Sequence, residues 1–442
     1  MSSGTEDRVL APGVRPREAW AWAMFDFANS GYTTVVITAI YNAYFVAVIA
    51  GNSHWATLAW SGALAVSYLF VMVTAPAIGA LADAYACKKK LLAATTVGCA
   101  LFTAALAGAG PGELAAALLF LILSNFFFGS GENLIAAFLP EIADGRHLGR
   151  VSGWGWGLGY LGGMLTLGLC LAYVTSVQTA GGGAEAFVPG TLWITAAMFL
   201  LASLPTFLFL RERARPQPHV LGAGALTESM ARLARTWRES WRYRDLARFL
   251  LCLVCYQAGV QAVVALAAIY AQQVMKFDTG QTIVLILVVN VAAAIGAAAF
   301  GYVQDRLGHK RAIALTLAGW LATVVLASVA ESNVTFWLAA HLAGLCLGSS
   351  QSAGRALVGY LSPPERQGEF FGLWGLGVKL SSILGPITYG AIVAITQGEH
   401  RIAFLVTGIY FLAGLALLAG VDVRRGREAA LAATSEPAAA SG

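Results

Sequence analysis

Two short stretches of the chain answer each other: "GALADAYACKKK", Gly79 to Lys90, and "GYVQDRLGHKR", Gly301 to Arg311. Gly79, Asp83 and Lys88 each meet a like residue 222 positions on, at Gly301, Asp305 and Lys310. The echo continues at an offset of 219, where Gly129-Ser130 matches Gly348-Ser349 and Gly153 matches Gly372. Both charged stretches join long apolar runs. A tandem repeat built from such runs is the mark of a secondary transporter with its site at the repeat interface.

The composition agrees. The 442 residues are 58% apolar and 12% charged, against roughly 25% charged in an average soluble domain. Apolar runs long enough to cross a hydrocarbon core of ~30 Å recur throughout. Twelve spans are expected at 20–48, 55–82, 89–110, 113–138, 152–175, 189–210, 248–273, 281–304, 312–330, 334–360, 370–395 and 402–422. This predicts an all-α polytopic membrane protein of two six-helix bundles, 1–210 and 248–423. A basic linker, 211–247, joins them, and a disordered tail, 424–442, follows. Within the linker, "TESMARLARTWRESWRYR" reads as an amphipathic helix on the membrane surface.

Of 28 Lys/Arg, only Lys276 and Arg401 fall on the side opposite the termini, and Arg355 and Lys379 fall within spans; the other 24 share the side of the termini. By the positive-inside rule both termini and the linker are cytoplasmic, which suits an inner-membrane protein. The net charge of +5 follows from this bias and gives no reason to invoke nucleic acid. No P-loop or dinucleotide-binding glycine pattern occurs, no metal-ligand cluster is evident, and no cofactor is called for. Cys252 and Cys255 form a C-x-x-C inside an apolar run and read as small buried residues. No nucleophile, base and third group assemble, so an enzyme is not expected.

The G-x-x-x-D-x(4–5)-K/R loops resemble the characteristic cytoplasmic loop of the major facilitator superfamily. The first copy departs from it, with Ala84 where an Arg is common and Ala86 in place of the turn glycine. The second, with Asp305, Arg306, Gly308, Lys310 and Arg311, is nearly complete. "AWAMFDFANSGYTTVVITAIY", "NLIAAFLPEIA", "GRVSGWGWGLGYLGG" and "ERQGEFFGLWGLGVKLSSILGP" are similar to the vacuolar-effluxer-like branch, which includes fungal autophagy-related amino-acid exporters. The resemblance implies a transporter whose spans 1, 4, 7 and 10 line a central cavity, and export as the direction. It does not name the cargo. It also implies a gating role for Gly79, Asp83, Lys88, Gly301, Asp305, Arg306, Lys310 and Arg311, with each Asp expected to hold helix ends of its own half.

The residues themselves propose a site. A carboxylate inside a membrane costs at least ~2.5–3.5 kcal/mol on insertion scales. Asp26 lies roughly 9 Å into span 1, near one helical stripe with Asn29, Ser30, Thr33 and Tyr41. Span 4 places Asn125 and Glu132 on one face, with Asn133 adjacent. The second half supplies the opposite sign: Arg355 with Gln351 on span 10, and Lys379 near the midplane of span 11 beside Trp374. Tyr256, Gln257 and Gln261 on span 7 and Trp156 on span 5 complete the candidate lining. Gly155, Gly159 and Gly163 form a ridge for close helix approach.

These charges suit a small zwitterion such as an amino acid: Arg355 and Lys379 for a carboxylate, Asp26 or Glu132 for an ammonium. Without a nucleotide motif, uphill transport must draw on an ion gradient. Glu132, or else Asp26, is the expected proton carrier, because a carboxylate shuttled between environments changes its proton affinity. A monomer in the bilayer, with a small-molecule substrate and a proton gradient as partners, is the expected working form. Two alternatives stay open: a proton-coupled exporter of amphiphiles or drugs, and a non-transporting sensor or assembly partner that keeps the fold.

Overall fold

The computed structural model describes residues 8–51, 53–214, 216 and 243–435. The amphipathic reading of the linker falls on 227–244 and lies almost wholly outside them. Twelve long helices stand among the described residues. In the first half these are α1 (Pro16–Ile49), α2 (Ala56–Tyr85), α3 (Lys88–Leu106), α4 (Leu114–Ala136), α5 (Leu148–Thr179) and α6 (Ala184–Phe209). In the second they are α7 (Arg244–Gln273), α8 (Thr279–Leu307), α9 (His309–Ser328), α10 (Asn333–Leu361), α11 (Gln367–Ile395) and α12 (His400–Ala419). Eleven of them contain a stretch long and apolar enough to cross a membrane. The exception is α10, which has the length, at 29 residues, but whose hydropathy is lowered by His341, Ser349, Ser350 and Gln351.

Local chemistry sets the ends. Asp278 and Gln281 form a capping box at the start of α8, and Ser332 accepts from the Thr335 N–H at the start of α10. The two repeated loops turn alike. Gly308 ends α8 at φ 84°, and Ala86 ends α2 in the left-handed region at φ 48°, where a side chain costs roughly 1–2 kcal/mol.

Helix α1 is not α-helical throughout. Beyond Tyr32 it runs as a π-turn over Thr33–Ala39, a short α-turn over Tyr41–Tyr44 and a second π-turn over Phe45–Ile49. The run Thr33, Thr34, Val35, Val36, Ile37, Thr38 is wholly β-branched, and crowding at Cβ makes it a poor continuous α-helix.

The two ends of the described residues lie on one side of the bundle, near the α4–α5 connection. Leu10 forms a β-bridge with Ala143 in the α4–α5 connection. At the other end, Val423–Ser435 forms a helix, α13, over the first part of the expected disordered tail, and residues 436–442 of that tail lie outside the described residues. A specific dock holds the helix. Arg425 donates twice to the buried Asp245 at the start of α7, at 2.7 and 2.7 Å, and Ala430 is fully buried. The start of the linker is also held: Glu212 accepts from the Lys88 and Lys89 N–H groups, and Arg213 donates to Glu18 at 2.8 Å.

A candidate transport site between the halves

The halves meet along two seams, α2 with α11 and α5 with α8. Each seam depends on glycines. A Cβ on Gly79 would strike the Gly368 carbonyl, and one on Gly301 would come within 2.6 Å of the Gly149 carbonyl. The loop aspartates close the same seams. The Asp83 carboxylate accepts from the main-chain N–H groups of Gly368 and Glu369, both at 3.0 Å, and pairs with Lys88 at 3.2 Å. Asp305 accepts from the Arg150 N–H at 3.3 Å and pairs with its guanidinium at 3.4 Å. The expectation that each aspartate holds its own half is met only by the Asp83–Lys88 pair, and is otherwise corrected: both aspartates bind main-chain donors of the opposite half. Close packing at the glycine seams brings those donors within hydrogen-bond distance. Lys88 does stay within its half, between Asp83 and Glu141. Lys310 donates instead to the carbonyls of Ala419 and Val421 at the end of α12, and Arg306 and Arg311 are exposed.

Further in, Arg355 of α10 crosses to the first half. Its Nη1 donates to Asp26 Oδ2 at 2.7 Å, its Nε to Ser152 Oγ at 3.1 Å and its Nη2 to the Ser152 carbonyl at 2.9 Å. The guanidinium lies 4.8 Å from the Trp22 ring and 5.4 Å from the Trp156 ring, within cation–π range. Every nitrogen of Arg355 has a partner, and its side chain is 3% exposed. The glycine ridge makes room for this arrangement: a Cβ on Gly155 would come within 2.6 Å of Arg355 Nη2.

The second charge pair is more open. Lys379 of α11 donates from Nζ to Glu132 Oε2 at 3.0 Å, and the Glu132 side chain remains 25% exposed. The ammonium lies 5.5 Å from the Tyr68 ring and 5.7 Å from the Phe128 ring. Lys379 stands roughly 18 Å along α11 from Gln367, at about 1.5 Å per residue. Both pairs thus join an acid of the first half to a base of the second.

Other candidate residues sit differently. Gln257 is buried and donates to Gln351 at 2.6 Å, joining α7 to α10, while Gln261 and Gln351 are half-buried. Asn133 is buried with its side chain against Gly375 of α11. Asn29 is buried beside Ser30, and Trp156 is half-buried over Arg355. Four expected lining residues pack within one half. Tyr41 is fully buried against Tyr44 and Trp60, because the π-turn rotates α1 out of the stripe computed at α-helical spacing. Asn125 donates to Ser67 across the α2–α4 contact. Tyr256 is fully buried with its hydroxyl against Gly354, and Trp374 packs edge-on to Phe371. Sequence reasoning missed Trp22, Ser152, Tyr68 and Phe128. Of these only Trp22, one turn before Asp26, carried a local signal.

Comparison with known proteins now decides the family. The family model described as "Vacuole effluxer Atg22 like" matches residues 62–149 and 146–431. The chain belongs to the Atg22-like vacuole effluxer family. It is similar to the MFS-type transporter YxiO of Bacillus subtilis, with 27% identity over 91% of this chain and 94% of that one. It is also similar to Autophagy-related protein 22-1 of Aspergillus fumigatus, with 27% identity over 70% of this chain. The transporter spans about half, 54%, of that fungal relative. Among solved structures, the proton:xylose symporter XylE superposes with a TM-score of 0.73 at 13% identity, covering 95% of this chain and 98% of that one. The human organic anion transporter MFSD10 superposes with a TM-score of 0.71 at 16% identity, covering 91% and 100%. The fold is that of the major facilitator superfamily, and this member is a multi-pass secondary transporter of that superfamily, not an enzyme.

Proposed function

We propose that this transporter exports a small zwitterionic, amino-acid-like solute in exchange for protons, by alternating access. The observation that carries the reading is the unequal exposure of the two cross-half ion pairs. Arg355 and Asp26 are enclosed, while Glu132 beside Lys379 stays partly open. Arg355 then serves as a latch, and the Lys379–Glu132 pair as the exchange site. The cargo carboxylate takes Lys379, and the cargo ammonium takes Glu132. A proton on Glu132 displaces that ammonium, so one carboxylate binds either proton or cargo. With neither bound, the two side chains neutralise each other, as a buried charge must. The relatives named for autophagy-related vacuolar efflux favour export and an amino-acid-like cargo.

The side that carries the termini is taken as the cytoplasm of a bacterial inner membrane, from the placement of Lys and Arg. The polar contacts between the halves run from that side inward to Lys379, which suits an outward-facing state. Thr227→Cys on a cysteine-free background should resist impermeant thiol reagents in intact cells; labelling from outside would reverse the orientation.

The test of cargo class is counterflow in reconstituted vesicles with a panel of free amino acids and their amides. Wild type should exchange one or more free amino acids and not the corresponding amides. Lys379→Gln should lose that exchange. Equal exchange of acid and amide by wild type would remove the carboxylate role of Lys379.

A further inference from the structure

A recess of about 430 Å³ opens on the termini side where α7, α9, α12 and α13 meet, lined among others by Arg248, Lys310, Gly420, Asp422 and Arg425. Main-chain carbonyls hold its two outer cations in place. Lys310 Nζ donates to the Ala419 and Val421 carbonyls, both at 2.8 Å, and Arg248 Nη1 donates to the Gly420 carbonyl at 3.1 Å. The remaining charges are satisfied locally. Arg425 is matched by Asp245, and Asp422 accepts from the Arg425 N–H at 3.0 Å. Among the described residues no carboxylate comes within ion-pair distance of Arg248 or Lys310. Two positioned cations therefore face one open polar recess with no carboxylate in ion-pair distance of either, although Asp422 also lines it.

The height of the recess selects the partner. Each of the three spans that frame it also presents an exposed leucine further into the membrane: Leu251 on α7, Leu315 on α9 and Leu412 on α12. An anion seated between Arg248 and Lys310 would lie at the outer end of three helices whose deeper turns carry these exposed apolar side chains. That is the geometry of a phosphodiester headgroup with its acyl chains lying along the helices. We propose that this recess binds the phosphate of an anionic phospholipid from the leaflet on the termini side. Charge-assisted bonds from a guanidinium and an ammonium are the strong class for phosphate oxygens, and basic pockets between spans at this level are suited to acidic lipids. The bound lipid would bridge α7, α9 and the end of α12, next to the site where α13 docks.

The experiment uses the full chain, purified and delipidated in detergent, with phosphatidylglycerol and phosphatidylcholine as probes in native mass spectrometry. Wild type should retain one phosphatidylglycerol in about tenfold preference to phosphatidylcholine, and the Arg248→Gln/Lys310→Gln double variant should lose that preference. The charge-keeping pair Arg248→Lys/Lys310→Arg controls for the capping of α12 and should keep it. An unchanged preference in the glutamine double variant would overturn the proposal, as would its loss in the charge-keeping pair. If inorganic phosphate displaces phosphatidylglycerol from wild type, the recess is a free-phosphate site, and the lipid assignment is overturned.

Discussion

Arg355 and Asp26, 329 positions apart in the chain, meet at 2.7 Å between α10 and α1, and neither has appreciable exposure. The pair ties the halves together from the inside, between the loop seams and the more open Lys379–Glu132 pair. Replacing Asp26 by Asn leaves the guanidinium buried without its counter-charge. Breaking a buried pair in this way costs ~3–5 kcal/mol. Thermal unfolding in detergent should show Asp26→Asn strongly destabilised, and Arg355→Met on the same background should recover part of the loss. Additive losses in the double-mutant cycle would mean that the two side chains do not depend on each other.

The two repeated aspartates should not be equal. Asp83 holds two main-chain N–H groups of the opposite half and the buried Lys88, whereas Asp305 holds one N–H at 3.3 Å and a guanidinium that is 21% exposed. Asp83→Asn should weaken the seam by the value of a charge-assisted hydrogen bond, ~1.5–3 kcal/mol, and Asp305→Asn by less. This reverses the order that loop composition suggests, in which the more complete second loop dominates. The readout is the rate at which a thiol placed by Ser382→Cys reacts with reagent supplied from the termini side. A larger rise for Asp305→Asn than for Asp83→Asn would restore the loop-composition order.

Ala86 stands where the second loop has Gly308, and both take positive φ. Ala86→Gly should relieve the left-handed strain and raise stability by about 1 kcal/mol. The melting temperature of the full chain should rise, with transport unaffected. A fall would show that the alanine methyl contributes packing that outweighs the strain.

Much of this architecture was legible in one dimension. The twelve spans, the paired loops and the four membrane charges follow from apolar run length, repetition and the cost of burying an ion. What stayed hidden depends on contact between distant segments. Ser152 lies 203 positions from Arg355, and its main-chain carbonyl is one of that side chain's partners; no periodicity in either span announces this. The cross-half reach of Asp83 and Asp305 is hidden for the same reason, since each loop reads as self-contained. Tyr41 was misplaced for a different reason. The stripe drawn from Asp26 assumed about 3.6 residues per turn, and the π-turns break that register. The β-branched run Thr33–Thr38 was the visible warning. Asn125 and Tyr256 show that a polar group on a membrane helix can equally serve its own bundle, and a one-dimensional pattern does not distinguish the two uses.

The exchange role of Glu132 is the centre of the account, and one comparison reaches it directly. Wild type and Glu132→Gln are reconstituted in vesicles with an imposed pH gradient, and both accumulation and counterflow of the same zwitterion are followed. If Glu132 binds either the proton or the cargo ammonium, Glu132→Gln, which mimics the protonated carboxylate, loses accumulation against the gradient and loses counterflow with it. If Glu132→Gln still concentrates the solute under a pH gradient, Glu132 is not the proton site and the proposed exchange at Lys379–Glu132 is wrong.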